Sequence, residues 1–399
     1  MKDQVLSRRR LLTATIFTFV FMSGYALSTC MLGTLLPGII THYSLNLTQA
    51  SALNVVYESA NAFAMVVALF VVDRLDKGKL LTLLSAVFGL ILILHGRAPT
   101  YAVLLGVRLV MGMVGSVLDN LCSSYISDLY GGRRARYISI LHTLYAIGSM
   151  AAPKFAALCY AAGGWSLAYL TAGGAMAAAG ILAMVILRTM GYPPTAVEQD
   201  ETVPGKVHIP YREMLRSRNL IWLSVVSVLI AGQFYVTIWL STYLDWLDSA
   251  VYTVEFCSTI MTALYLGMIL SRVLLAAVSE RIGAAVYLKW ASLLSSALLI
   301  LLLLVQRPMV WLGGAFLYGL ISGAMFTSRI VLSCQEFPQF SSTASAFTGV
   351  FAALGSVGFN SLMGMAADAG YYTQAMLAGA VIVALTFLAF QFGYRSRPE

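Results

Sequence analysis

Val72-Asp73-Arg74-Leu75 and Ser279-Glu280-Arg281-Ile282 stand 207 residues apart and look like two versions of one short loop. The same offset relates Gly112-Met113-Val114-Gly115 to Gly319-Leu320-Ile321-Ser322-Gly323, and Ala146-Ile147-Gly148-Ser149 to Ala353-Leu354-Gly355-Ser356. Each pair is brief. Three of them at one spacing mean that the chain repeats a single design.

The repeated design is written in apolar runs. Of 399 residues, 59% are hydrophobic and 11% charged, too little polar surface to coat a water-soluble globule. About 20 apolar residues cross the hydrocarbon core as a helix. Stretches of that length fall near 11–36, 50–72, 79–96, 100–128, 136–161, 164–188, 220–244, 254–278, 284–305, 308–334, 343–366 and 371–393. The expectation is an all-α membrane protein with twelve spans in two pseudo-symmetric six-helix bundles. The first bundle is expected over residues 1–190, a linker over 191–219 and the second bundle over 220–399. The linker contains Gly191-Tyr192-Pro193-Pro194 and the acidic Glu198-Gln199-Asp200-Glu201, and Pro210 to Arg216 reads as a short surface helix after it.

The net charge of +8 is placed by topology. Arg8-Arg9-Arg10, Arg74, Lys77, Lys79, Arg133, Arg134, Arg136, Lys206, Arg212, Arg216, Arg218, Arg281, Arg395 and Arg397 all fall on one side of alternating helices. The opposite loops carry little beyond Arg97 and Arg307. An excess of Lys and Arg marks the cytoplasmic side, so both termini are expected there, in a cytoplasmic (inner) membrane. The charge is not a nucleic-acid footprint. The first span is too long for a signal-peptide core and reads as a retained helix. Cys30, Cys122, Cys159, Cys257 and Cys334 are scattered with no metal-ligand spacing and read as packing residues.

On these residues the chain resembles a major facilitator superfamily transporter over nearly its whole length. Val72-Asp73-Arg74-Leu75-Asp76-Lys77-Gly78-Lys79 resembles the family's Gly-x-x-x-Asp-Arg-x-Gly-Arg loop, and Ser279-Glu280-Arg281-Ile282-Gly283 its second copy. It departs from the pattern in having Leu69 for the leading glycine and two extra residues before Gly78. Arg108-Leu109-Val110-Met111-Gly112 resembles the family's Arg-x-x-x-Gly element, and His142 through Gly148 to Pro153 resembles the fucose-permease-like branch. Arg272, eight residues before Glu280, sits like an arginine of organic-anion carriers and equally like a structural arginine widespread in the superfamily. Gly148 to Pro153 only partly matches an exporter element, because Ala152 replaces its glycine.

Ionisable residues at membrane depth each cost on the order of 3 kcal/mol unless they face water or a partner, so they point to function. Glu58 shares a helix stripe with Asn54 and Asn61, about 12 Å below the end of its span. Arg108 and Lys154 reach a similar depth, which allows an ion pair with Glu58, either structural or linked to protons. Arg108, Gly112, Gly115 and Asp119 lie along one line of the fourth span, suited to a cavity wall or to close helix approach. Asp119 reads as a proton carrier or a hydrogen-bonded helix tie, with Asn120 beside it. His142 reads as a polar packing contact or a titrating group.

In the second half, Arg329 has Tyr318, Ser322 and Met325 on its face and no acidic residue at matching depth, which favours an anionic ligand. Gln233, Thr237 and Ser241 line the seventh span beside Tyr235 and Trp239, and Tyr25 and Thr29 do so on the first. Aromatics with a few aimed polar groups suit a sugar or a small organic acid. Asn360, in the place of Pro153, reads as a helix tie to Ser356.

The resemblance implies that the first, fourth, seventh and tenth spans line a central cavity and that the carrier works by alternating access. Asp73, Arg74, Glu280 and Arg281 would then latch the inner face. The candidate substrate residues are Tyr25, Arg108, Asn120, Gln233, Trp239, Arg272, Tyr318 and Arg329. Candidate coupling residues are Glu58, Asp119, His142 and Lys154. With no nucleotide loop, metal cluster or other cofactor signature and no nucleophile beside a base, the expectation is a monomeric carrier rather than an enzyme. It would move a small polar solute, an organic anion or sugar-like molecule, with protons co-transported. Efflux of amphipathic drugs or lipids, and a transporter-like receptor, are the alternatives.

Overall fold

The computed structural model describes residues 2–71, 76–130, 134–193, 211–278, 282–337 and 341–394. Asp73, Arg74, Glu280 and Arg281, named above as an inner latch, lie outside the described residues, as does 194–210 of the linker.

Among the described residues the regular structure is helical, with no strand. In the first half of the chain the helices are α1 (Lys2–Cys30), α2 (Leu32–Tyr43), α3 (Leu47–Val71), α4 (Lys77–Gly96), α5 (Tyr101–Tyr130) and α6 (Arg134–Met190). The linker helix is α7 (Tyr211–Met214), a single turn and shorter than the surface helix expected from Pro210 to Arg216. Then come α8 (Arg218–Leu247), α9 (Val254–Val278), α10 (Ala284–Val305), α11 (Pro308–Ser322), α12 (Met325–Glu336), α13 (Ser341–Asp368) and α14 (Tyr372–Phe392).

Among the described residues ten helical stretches are long and apolar enough to cross a membrane. One of them is the long α6, which is two helices joined at Gly163 and Gly164; Gly164 takes φ +77, a left-handed conformation that side chains disfavour. With its arms counted separately and with α3 included, the chain has its twelve spans. The first expected span runs from α1 into α2 without losing its hydrogen bonds, since Met31 N–H still reaches Leu27 O and Leu35 N–H reaches Met31 O. The tenth differs from expectation, because an apolar run read as continuous is split into α11 and α12.

Ends are capped where sequence allows. Asp76 accepts from Lys79 N–H at the start of α4, and Ser217 from Leu220 N–H at the start of α8. Leu158, Met309 and Phe392 are 72%, 73% and 74% exposed, an arrangement costly in water and natural against acyl chains. Inside, hydroxyls such as those of Thr18, Ser85, Ser224 and Ser227 are buried and satisfied on backbone carbonyls one turn back.

Two compact units result. One comprises Met1–Gly38 with Val56–Lys206, the other Ile39–Val55 with Val207–Glu399. The second unit therefore includes the end of α2 and the first turns of α3.

Candidate solute site

The break between α11 and α12 organises the second unit. Interrupting a helix at membrane depth frees carbonyls that lipid cannot satisfy. Here three successive carbonyls are each taken by a side chain from a different helix. Ile321 O accepts from the Tyr287 hydroxyl of α10 at 2.7 Å, Ser322 O from Gln233 Nε2 of α8 at 2.9 Å, and Gly323 O from Arg272 Nε of α9 at 3.2 Å. Tyr287 also accepts from Ala324 N–H at 3.2 Å. The backbones of α9 and α11 touch beside the break: a Cβ on Gly319 would lie 2.1 Å from Leu264 O, and one on Gly267 2.1 Å from Phe316 O. The broken turn is thus held from three sides.

Just beyond it on α12 lies Arg329, 2% exposed. Its Nη1 donates to Thr348 Oγ1 of α13 at 3.0 Å and, more weakly, to Ser227 Oγ of α8 at 3.5 Å. Thr348 is tied in turn to Ser333 at 2.9 Å. The guanidinium carbon stands 4.7 Å from the centre of the Phe326 ring. Among the described residues no carboxylate pairs with Arg329, and its Nε has no acceptor. Gln233, 3% exposed, likewise keeps its Oε1 without a donor among the described residues. A buried cation held only by hydroxyls and a ring retains strong attraction for an anionic or oxygen-rich group.

Around this core the aromatics are anchored rather than loose. Trp239 Nε1 donates to Asn360 Oδ1 at 2.9 Å, and Asn360 Nδ2 donates to Ser356 O at 2.8 Å. The tie read from Asn360 and Ser356 is present, and it extends across to α8 through Trp239. Tyr235 hydroxyl donates to Met376 O at 2.7 Å, and Tyr318 is buried on α11.

The first unit gathers a second polar cluster. Tyr25 and Tyr57 share a hydroxyl contact at 3.3 Å. Arg108, 2% exposed, places its guanidinium 4.5 Å from the centre of the Tyr57 ring, with Nη1 3.6 Å from Met111 Sδ. A Cβ on Gly112 would sit 2.3 Å from Tyr57 O, so the bare face of α5 serves close helix approach. Glu58 feels the Arg108 charge but closes no ion pair with it or with Lys154 among the described residues. Asp119 acts electrostatically on Tyr25, Tyr57 and Cys122 and accepts no hydrogen bond among the described residues. Asn120 beside it and Lys154 are half-buried, and His142 is exposed.

Sequence reasoning missed several members of these clusters. Tyr57, Tyr287, Ser227 and Thr348 are common residue types in spans, with no spacing that marks them. His95 was detectable as a lone histidine in the third span. It is fully buried against Tyr169, ring centres 4.1 Å apart, and neither ring nitrogen has a protein partner among the described residues.

A family model described as the Major Facilitator Superfamily matches residues 14–359. No curated protein matches the sequence. Among solved structures, a mutant of the nucleoside transporter NupG superposes with TM-score 0.77 at 15% identity, over 96% of this chain and 99% of that one. A bacterial homolog of the human lysosomal transporter Spinster, inward-facing and occupied, gives 0.71 at 17% identity, over 96% and 95%. The D-xylose-proton symporter gives 0.75 at 13% identity, over 96% and 97%. At these identities the likeness is one of fold. The family model covers most of the sequence, and the chain belongs to the Major Facilitator Superfamily: it is an integral membrane transporter rather than an enzyme.

Proposed function

We propose that this transporter is a proton-coupled symporter for a small polar solute, an organic anion or sugar-like molecule, working by alternating access. The observation that carries the reading is Arg329, buried at membrane depth with hydroxyl and ring neighbours and no acceptor for its Nε among the described residues. A solute carboxylate or hydroxyl would supply the missing acceptor, and the orphaned Gln233 Oε1 would take a solute hydroxyl. Tyr318 and Trp239 supply apolar walls. Arg272 holds the broken turn in place, and within the first unit Tyr25, Arg108 and Asn120 are the candidate solute residues. The neighbours named a nucleoside transporter and a D-xylose-proton symporter act on solutes of this polar kind.

Coupling is assigned to Glu58 and Asp119, carboxylates within spans that close no ion pair among the described residues. Such a group exchanges its proton as its surroundings alternate between wet and dry. His142 and Lys154 are the remaining candidates for this role. The distribution of Lys and Arg supports a cytoplasmic membrane location with both termini inside, and the carrier is taken to work as a monomer.

The test is thermal stabilisation of purified protein by small carboxylates, sugar acids, neutral sugars, nucleosides and lipophilic cations, repeated with Arg329→Ala. Polar solutes should raise the melting temperature of the parent and not of the variant, and uptake of the active solute into liposomes should rise with an inward proton gradient. A shift produced only by lipophilic cations, with or without Arg329, would overturn the reading in favour of efflux.

A further inference from the structure

Lys289 is a half-buried cation on the outer side of the second unit, in the seam between α10 and α14. It lies within the second turn of α10, about 7 Å along the helix from its start. Its ammonium donates to Gln391 Oε1 of α14 and stands 4.7 Å from the centre of the Phe387 ring and 5.9 Å from that of Trp290. Phe387 and Trp290 meet across the seam, edge to face, with ring centres 5.3 Å apart. On the other flank of α14, Arg218 Nη2 of α8 donates to Phe392 O at 3.5 Å. Two cations from different helices are therefore bonded to adjacent residues at the end of α14, and among the described residues neither has a carboxylate partner. A helix C-terminus offers about half a negative charge, so the seam stays net positive.

The neighbours of this charge are apolar and open. Trp290 and Leu294 of α10, and Leu388 and Phe392 of α14, are exposed large hydrophobic residues. A lysine on such a face is costly unless its head reaches water or an anion. Here the head is folded over two rings onto a neutral amide. The helix pair does not need the charge. The 207-residue offset relates the start of α10 at Ala284 to the start of α4 at Lys77, and so relates Lys289 to Thr82. Thr82 is buried and neutral, its hydroxyl donating to Lys79 O at 3.0 Å and sharing a contact with the Tyr192 hydroxyl at 3.1 Å. One position of the repeat thus carries a satisfied hydroxyl in the first unit and an unneutralised cation in the second.

We propose that the seam between α10 and α14 binds the headgroup of an anionic phospholipid, from the leaflet on the Lys- and Arg-rich side of the membrane. An ammonium has three donors, so a phosphodiester oxygen can accept from Lys289 while Gln391 keeps its bond. Trp290 sits at headgroup level, where its indole N–H donates to an ester or phosphate oxygen. Arg218 adds a second cation at the same end of α14, and the acyl chains run along Leu294 and Leu388. A zwitterionic lipid brings its own cation to a seam that is already positive, whereas an anionic one neutralises it. The bound lipid joins α10 to α14 and so stabilises the second unit. This goes beyond the proposed solute reading, since it holds whatever solute is carried.

The test needs no solute. Purified full-length protein in detergent is titrated with phosphatidylglycerol or with phosphatidylcholine of the same acyl chains, while its melting temperature is followed and bound lipid is counted by native mass spectrometry. Phosphatidylglycerol should raise the melting temperature, and at least about fivefold more phosphatidylcholine should be needed for the same rise. Lys289→Gln should weaken phosphatidylglycerol about fivefold, and Lys289→Arg, which keeps the charge, should retain it. Lys79→Gln, which removes an exposed cation of the first unit, should leave the titration unchanged. Arg218→Gln provides the same comparison if Lys289→Gln does not accumulate. Equal stabilisation by the two lipids, a phosphatidylglycerol preference untouched by Lys289→Gln, or equal losses in Lys289→Gln and Lys79→Gln would show diffuse interfacial charge and overturn the proposal. Conversion of a dimer to a monomer by Lys289→Gln would overturn it in favour of contact with a second copy of the chain.

Discussion

Arg329 Nη1 donates to Thr348 Oγ1 at 3.0 Å, and through that hydroxyl the cation on α12 is joined to Ser333 and to the backbone of α13. The link fixes the guanidinium while its Nε finds no acceptor among the described residues. Thr348→Val keeps the shape of the side chain and removes the acceptor. A hydrogen bond to a charged group contributes about 1.5–3 kcal/mol, and a buried cation deprived of it has no carboxylate to fall back on among the described residues. The expected outcome is a drop of that size in unfolding stability, read as a lower melting temperature. Ser227→Ala, which removes the longer 3.5 Å contact, should cost less.

Trp239 and Asn360 form a comparable tie between α8 and α13, but a neutral one. Trp239→Phe leaves Asn360 Oδ1 without its donor, and Asn360→Ala leaves the indole N–H without its acceptor. Each single change should destabilise by about 1–3 kcal/mol, and the double variant should lose less than the sum, with a coupling of roughly 1 kcal/mol. Melting temperatures of the four proteins in one detergent give the cycle. Strict additivity would mean that the bond contributes nothing beyond packing.

The twelve spans and the repeat were legible because bilayer thickness sets a length that apolar runs must reach, and the 207-residue offset survives in short signatures. The break at Gly323-Ala324 was not. No proline marks it, and the groups that make it tolerable, Gln233, Arg272 and Tyr287, lie on three other helices. Depth was legible and azimuth was not: counting residues put Glu58 and Arg108 at matching heights, while the fold turns Arg108 onto the Tyr57 ring. Arg329 stood out from composition alone, as a cation with no acid at its depth. Its hydroxyl partners did not, because serine and threonine are ordinary in membrane helices.

Close approach beside the break makes a sharp contrast between two glycines of α11. Gly319 has no room, its added Cβ falling 2.1 Å from Leu264 O, whereas a Cβ on Gly313 meets nothing within 4 Å. Gly319→Ala must push α9 and α11 apart, at a cost of about 1–3 kcal/mol or more, and should lower both yield and melting temperature. Gly313→Ala should keep at least the parent's melting temperature, since alanine is the better helix former by up to about 1 kcal/mol. Equal behaviour of the two variants would contradict the contact.

Asp76 offers a pH signature outside the spans. Partial burial works to raise its pKa, but the Lys79 side chain and the Lys79 and Gly78 amides outweigh it and hold the carboxyl below its ordinary value. A carboxylate with a depressed folded-state pKa adds stability that is fully present above the ordinary aspartate value of about 3.9 and is lost as pH falls through the folded-state pKa. Asp76→Asn keeps a competent helix cap and discards the charge. The parent should therefore melt slightly above the variant at about pH 6, and the gap should close as pH is lowered past about 4 toward about 3. The Lys79 ammonium lies 2.9 Å from Asp76 with both side chains largely open to solvent, so raising the salt concentration at near-neutral pH should narrow the same gap. A gap independent of both pH and salt would assign the effect to the cap geometry rather than to the charge.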